Sequence, residues 1–268
     1  MSITTPRINE IAPGLFNIRA PFKLLGGLLN LGTHMNLIRL ESGHFVALST
    51  IPLTPDLKSE VDKLTSNGTL LDAVLGTNPY HTIYFQEWFA AYPGVKFYGT
   101  PRHVRVFPDI KWEEEGTTGD EVVLNKWAPE IELRIPEGCE FVNPLPESIN
   151  HFSGVIAFHR ASRTIISDDA FHISANPKFV EKAFLGHHKN EISFHLSLIK
   201  YALHKTPDAS KAFYDWVLKI VEDWDFDNIA SAHGGYAIGG AKKQLVVCLE
   251  KSKKSLVDFA IANGGAAF

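Results

Sequence analysis

The chain has 268 residues, 45% apolar and 21% charged, with a formal net charge of −4; this is enough to bury a sizeable core. Lys and Arg concentrate nowhere beyond "KKQ" and "KSKK" near the end, which excludes the basic face of a nucleic-acid binder and a polybasic membrane arm, so a small-molecule partner is expected. Cys139 and Cys248, the only 2 cysteines, show no CxxC spacing, which argues against a disulfide framework and a thiolate zinc site and fits a reducing compartment.

The opening "MSITTPRINEIAPG" lacks the basic and apolar regions of a secretory signal, and no window reaches the roughly 18 apolar residues of a membrane span; a cytoplasmic location is expected. "GLFNIRAPF", "HMNLIRLES" and "HFVALST" are short apolar runs separated by Gly, Ser and Pro, the pattern of a strand meander. "TPDLKSEVDKLTSNG" reads as a helix: Asp56 sits in its first turn, Leu57, Val61 and Leu64 recur at helical spacing, and Asn67-Gly68 supplies the stop. "LLDAVLG" then reads as a buried strand, residues 82–92 as a helix and "VKFYG" as a strand, so strand-helix-strand units begin here.

The middle is expected to be β-rich, in "IELRIP", "CEFVNP", "FSGVIAFH" and "TIISDD", the last two joined through "RASR" as a hairpin. The "WEEEGTTGDE" stretch before it reads as a solvated loop. Towards the end, "NEISFHLSLIKYALHK" and "DASKAFYDWVLKIVEDW" read as amphipathic helices, the second capped by Asp208 or Thr206. In "DWDFD" the alternating Trp224 and Phe226 suggest a strand entry with buried aromatics, and "DFDNIASAHGG" a strand ending at His233. A last helix places Leu245, Leu249, Leu256 and Phe259 or Ala260 on one stripe before Gly-Gly. With no repeat or linker, residues 1–268 read as a single domain of two stacked mixed sheets with helices outside.

Four places put metal-type ligands at strand ends: His81 after "DAVLGTNPY", His151 in "INHFSG", Asp168 and Asp169 in "TIISDDAFH", and His233 in "IASAHGG". Imidazole and carboxylate donors together suit zinc first, with iron or manganese as alternatives. Most of the other histidines among the 12, namely His34, His44, His159, His187, His188, His195 and His204, have no acidic or histidine partner at ligand-like spacing and read as surface or core residues. Arg102 and His103 in "GTPRH" follow a strand and could bind substrate. "GGLLNLGTH" has no dinucleotide fingerprint, and no GxSxG elbow or reactive cysteine setting offers a nucleophile.

The order of these segments resembles the metallo-β-lactamase fold superfamily over nearly the whole chain. "IAPGLFNIR" matches the family's opening, "YPGVKFYG" its strand after the motif helix, His151 the lone histidine before a hairpin, Asp168 or Asp169 the metal-bridging aspartate and His233 the closing histidine. The resemblance implies an αββα sandwich, an α/β fold with the metal site at one edge of the sheets. The departure is "TNPYHTI" where the family has THxHxDH. Aligned from Thr77, Asn78 and Tyr80 replace the HxH ligands; counted back from "YPG", His81 falls on the last histidine and Tyr80 on the aspartate, the alignment preferred because packing sets the helix length. Either way the first metal position is damaged. The resemblance therefore implies a metal-dependent hydrolase with a degenerate, single-ion site of His81, His151, Asp168 or Asp169 and His233, in which Asp168 or Asp169 also handles the proton and Tyr80, Arg102 and His103 line the substrate. The substrate that the resemblance implies is a small ester, lactone or thioester. The alternative is a non-catalytic member that has lost its metal and binds a small molecule or a protein.

Overall fold

The computed structural model describes residues 6–24, 26, 29–147, 150–175 and 191–268; His187 and His188 lie outside them. The chain divides into 2 compact units, Met1–Glu132 and Leu133–Phe268.

In the first unit, 6 strands form one sheet in the order β1-β2-β5-β6-β7-β8, and β3 (Lys23–Leu24) pairs with β4 (Leu29–Asn30) apart from it. The meander expected from the sequence is β1 (Ile8–Ala12), β2 (Leu15–Ala20), β5 (Thr33–Arg39) and β6 (Phe45–Leu48), all antiparallel, with Phe16 opposite Leu37 and Leu37 opposite Ala47. β7 (Leu71–Leu75) and β8 (Lys96–Tyr98) then add in parallel, Val74 opposite Phe97, as strands connected through helices must. Helix α1 (Pro55–Thr65) starts because Thr54 Oγ1 accepts from Leu57 N at 3.3 Å and Pro55 presets the first turn. It ends where Ser66, Asn67 and Gly68 all take positive φ. Helix α2 (Phe85–Ala91) begins 3 residues later than expected and drives Trp88 into the core, where its indole donates to Ile51 O at 2.7 Å. Short helices α3 (Pro101–Val106) and α4 (Glu121–Leu124) follow. The "WEEEGTTGDE" stretch is more tied down than a solvated loop: Glu115 accepts from Tyr98 and Lys126, and buried Thr118 donates to Gly76 O.

The second unit carries a sheet in the order β15-β14-β11-β10-β9, with β9 (Ile131–Arg134) at the unit boundary. β10 (Ile156–His159) and β11 (Thr164–Ser167) form the expected hairpin, Ala157 opposite Ile166. β14 (Asn228–Ser231) lies parallel to β11, Ile165 opposite Ile229, and β15 (Gly235–Ala237) returns antiparallel, so this sheet is also mixed. Helix α5 (Ala209–Asp223) has Asp208 at its N-cap position without a side-chain capping bond, and helix α6 (Ala241–Ala262) buries the expected Leu245, Leu249, Leu256, Phe259 and Ala260. The core is aromatic: Phe213 meets Phe152, Phe194 and Trp216 with ring centroids 5.5, 5.2 and 5.9 Å away, while Trp224 and Phe226 are buried as their alternation implied.

Two expectations for this unit are corrected. "NEISFHLSLIKYALHK" is not a helix: Glu191–Phe194 is strand β13, followed by a π-helical turn at Leu198–Ala202. β12 (Phe171–Ser174) offers an open edge on which Phe194 and Ile192 pair with Phe171 and Ile173, and this packing at a two-residue period overrides the helical spacing. "CEFVNP" is not a strand either. Cys139 makes a single bridge to Leu203, and Asn143 N turns back onto Glu140 Oε1 ahead of Pro144, which cannot donate to a ladder.

Candidate metal centre

Asp169 occupies the turn between β11 and β12. Ser167 Oγ accepts from Phe171 N at 2.9 Å, closing that turn, and the carbonyl of the adjacent Asp168 accepts from Ala232 N at 3.0 Å, tying it to the end of β14. Parallel β11 and β14 thus end side by side. His233 follows β14, its carbonyl held by the Ser231 hydroxyl at 2.6 Å. Its chain must then turn away at once: Gly234 has φ +87°, and a Cβ there would lie 2.1 Å from Ile173 O and 2.8 Å from the His172 ring, so no other residue fits. His151 sits in the loop before β10, anchored by Phe152, whose ring is buried against Phe213 and whose N–H donates to Ser197 Oγ at 2.9 Å.

These segments bring three of the sequence-predicted ligands together. Asp169 Oδ1 is 3.2 Å from His233 Nε2 and Asp169 Oδ2 is 3.5 Å from His151 Nδ1, so one carboxylate oxygen faces each imidazole. The Asp169 side chain is only 2% exposed, against 19% for His233 and 37% for His151: the negative charge is inside and the imidazoles open outwards. A buried carboxylate is costly unless countered, and a divalent ion is the strongest available counter-charge. The donor set fits one. Ligand atoms about 2.0–2.1 Å from a tetrahedral zinc stand about 3.3 Å apart, and each of the two carboxylate–imidazole pairs is close to that separation. Asp168 is buried beside Asp169, but it is Asp169 whose oxygens meet the histidines.

A fourth side chain, His195, was read from the sequence as ordinary. Its ring centroid lies 6.0 Å from that of His151, and its backbone N–H donates to Ala170 O, next to Asp169. Its Nδ1 contacts Ser197 Oγ at 2.8 Å and accepts from Ser197 N at 3.2 Å. Burial pushes its pKa down; the Asp169 charge opposes this, and His151 and His233 add to it. No spacing rule finds His195, since it is placed by its backbone bond to Ala170 and, through Ser197, by the bond from Phe152 N.

The candidates in the first unit serve one loop. Asn78 Oδ1 accepts from Tyr80 N at 2.8 Å, and His81 N donates to Asn78 O at 3.1 Å, so Asn78, buried at this point, caps a turn. Arg102 donates to Pro79 O at 2.8 Å with its guanidinium 5.1 Å over the Tyr80 ring. His103 is fully buried, edge-on to Phe85 at 4.5 Å, with Nδ1 2.8 Å from Thr100 Oγ1 and Nε2 3.4 Å from His81 O. His103 therefore packs beneath the loop that carries His81. Of the other histidines read as surface or core residues, His34 sits among Asn17 and Asn36, His44 pairs with Asp72 at 2.6 Å, and His159 is buried on Ser162.

Neither a family model nor a curated protein matches the sequence. Solved structures do match. The metallo-β-lactamase FIM-1 from Pseudomonas aeruginosa, in its mono-zinc form, aligns with a TM-score of 0.58 at 9% identity, over 92% of this chain and 96% of its own. A metallo-β-lactamase from Erythrobacter litoralis with β-mercaptoethanol in its active site aligns at 0.58 and 10%, over 94% and 99%, and one from Pontibacter korlensis at 0.56 and 8%, over 92% and 99%. With a mixed sheet in each unit and helices beside them, the chain has the metallo-β-lactamase fold, the α/β class its segment order implied. Among the described residues, no helix is long and apolar enough to cross a membrane.

Proposed function

We propose that the chain is a metal-dependent hydrolase of the metallo-β-lactamase type that holds one divalent ion and acts on a small ester, lactone or thioester. The observation that carries this reading is Asp169, a buried carboxylate with one oxygen on His151 and the other on His233. Zinc is the first choice for such donors, iron or manganese the next. His81 is proposed as a further ligand from its place in the motif order alone. The single-ion count rests on Asn78 and Tyr80, neither of which can stand in for an imidazole pair, and on Asn78 being spent on a turn.

An ion in such a site supplies Lewis acidity towards a carbonyl oxygen and lowers the pKa of water toward neutrality. The protein's own contribution is the fixed charge. Asp169 presents one oxygen within 3.5 Å of a ring nitrogen of each imidazole, and its inward position excludes bulk water from one side of the site. Asp169 is also the proposed proton acceptor, because it is the carboxylate in contact with the histidines; Asp168 is proposed to support it through its carbonyl link to Ala232. Tyr80 and Arg102, stacked on each other, are proposed to meet the substrate, and His103 to brace their loop.

The test is elemental mass spectrometry of protein purified without chelator, together with a panel of chromogenic esters, thioesters and lactones. The expected result is at most one ion per chain and a hydrolysis rate abolished by chelator and restored by zinc. Protein that stays metal-free when offered zinc, iron or manganese, and hydrolyses none of the panel, leaves the rival reading: a binding protein that has lost its metal, as the altered THxHxDH stretch would permit.

A further inference from the structure

We infer, resting on the hydrolase reading, that His195 is a hydrogen-bond donor to the acyl oxygen of the substrate, preset as the neutral tautomer with its proton on Nε2. The tautomer follows from the donors around Nδ1. A backbone N–H can only donate, and that of Ser197 reaches His195 Nδ1 at 3.2 Å. The Ser197 hydroxyl oxygen accepts from Phe152 N at 2.9 Å, which turns its own hydrogen towards Nδ1, 2.8 Å away. With two donors aimed at it, Nδ1 must carry the lone pair, so in the neutral ring the proton is on Nε2. Among the described residues nothing accepts from Nε2, whereas Nδ1 is doubly held.

Position supplies the second part. His195 is bound through its backbone to Ala170, the neighbour of Asp169, and through Ser197 to Phe152, the neighbour of His151, so both of these ligand segments fix it. Its ring lies 6.0 Å from the His151 ring. A protonated nitrogen cannot ligate a cation, which separates His195 from the metal ligands, but it can donate to an oxygen that gains negative charge as a carbonyl is attacked. No covalent step is assigned to it. Ser197 is a positioning residue, since it acts only through the imidazole.

Long-range ¹⁵N–¹H correlation spectra of the histidine side chains at neutral pH read the tautomer directly. His195 is expected to show Nδ1 bare and Nε2 protonated, with and without zinc, and Ser197→Ala to lose that preference; an Nδ1–H signal, or a zinc-induced shift typical of a ligating nitrogen, overturns the assignment. With any ester that the wild type hydrolyses, His195→Leu is expected to lower kcat about 10²–10³-fold, as removal of one oxyanion donor does, with unchanged metal content by elemental mass spectrometry. His195→Gln, which keeps an N–H, should recover part of kcat. If His195→Leu retains kcat while the wild type is active, the donor role is wrong and the hydrolase reading stands. If His195→Leu loses the metal, His195 is a ligand. If the wild type hydrolyses nothing, the hydrolase reading falls and the donor role with it.

Discussion

A carboxylate as enclosed as Asp169 costs several kcal/mol when uncompensated, so the residues around it are where substitutions should speak most clearly. His233→Ala removes the imidazole 3.2 Å from Asp169 Oδ1 and is expected to weaken zinc binding at least 10-fold, measured by competition with a chromogenic chelator, whereas His204→Ala, at an exposed position, should leave it unchanged. Equal affinities in the two variants would remove His233 from the ligand set. A different histidine governs acid stability. Burial of His159 pushes its pKa from 6.5 down to about 4. As pH falls below 6.5 the unfolded chain takes up a proton that the folded chain refuses, so stability drops progressively between pH 6.5 and 4, by up to about 3 kcal/mol, and then levels off. In chelator-treated protein, urea unfolding of His159→Gln should therefore lose less stability than the wild type between pH 7 and 4.5; parallel losses would contradict the assignment. The sequence marked His151, Asp169 and His233 because each adjoins a strand in a familiar order. It read His195 as an ordinary histidine, because the tautomer of that ring is set through Ser197, whose hydroxyl is oriented by Phe152 N–H from 45 residues away.

Elements were legible where one pattern acted alone. Helices α1 and α6 have a helical stripe and, for α1, a capping Thr54, and both form as expected. The stretch from Glu191 to Phe194 carries apolar residues that satisfy either period over so short a run, and the exposed edge of β12 decided it, something no local signal contains. The same edge makes the β12 to β14 region intolerant of change. Gly234→Ala would force a positive φ on a residue with a Cβ, costing about 1–2 kcal/mol, and press that Cβ on Ile173 O; reduced thermal stability and weakened zinc binding are expected together. Gly240, whose φ is +78° but whose Cβ would meet nothing within 4 Å, should show the smaller conformational cost alone and bind zinc normally when changed to Ala. In the aromatic core, Phe213→Ala should cost about 3–5 kcal/mol by urea denaturation, because its ring meets those of Phe152, Phe194 and Trp216. A loss under about 1 kcal/mol would mean that the cluster repacks freely.

For the whole molecule, the alternation of β-rich and helical stretches in each half was enough to indicate two mixed sheets, and the segment order named a fold that structures at 8–10% identity share. What the fold leaves unspecified is chemistry, since catalysis depends on the site and not on the sheets that carry it. Metal linkage connects the two scales. An ion bound only by the folded chain and present at 100 times its dissociation constant adds about 2.7 kcal/mol of stability, so the melting temperature should rise with zinc in the wild type and not in a chain without the central carboxylate. The most direct measurement is elemental analysis of wild type and Asp169→Asn, each chelator-treated, offered zinc and desalted. The account predicts one zinc per wild-type chain, none in Asp169→Asn, and a zinc-dependent rise in melting temperature in the wild type only. Two ions per wild-type chain, or none, or equal zinc in both proteins, would contradict it.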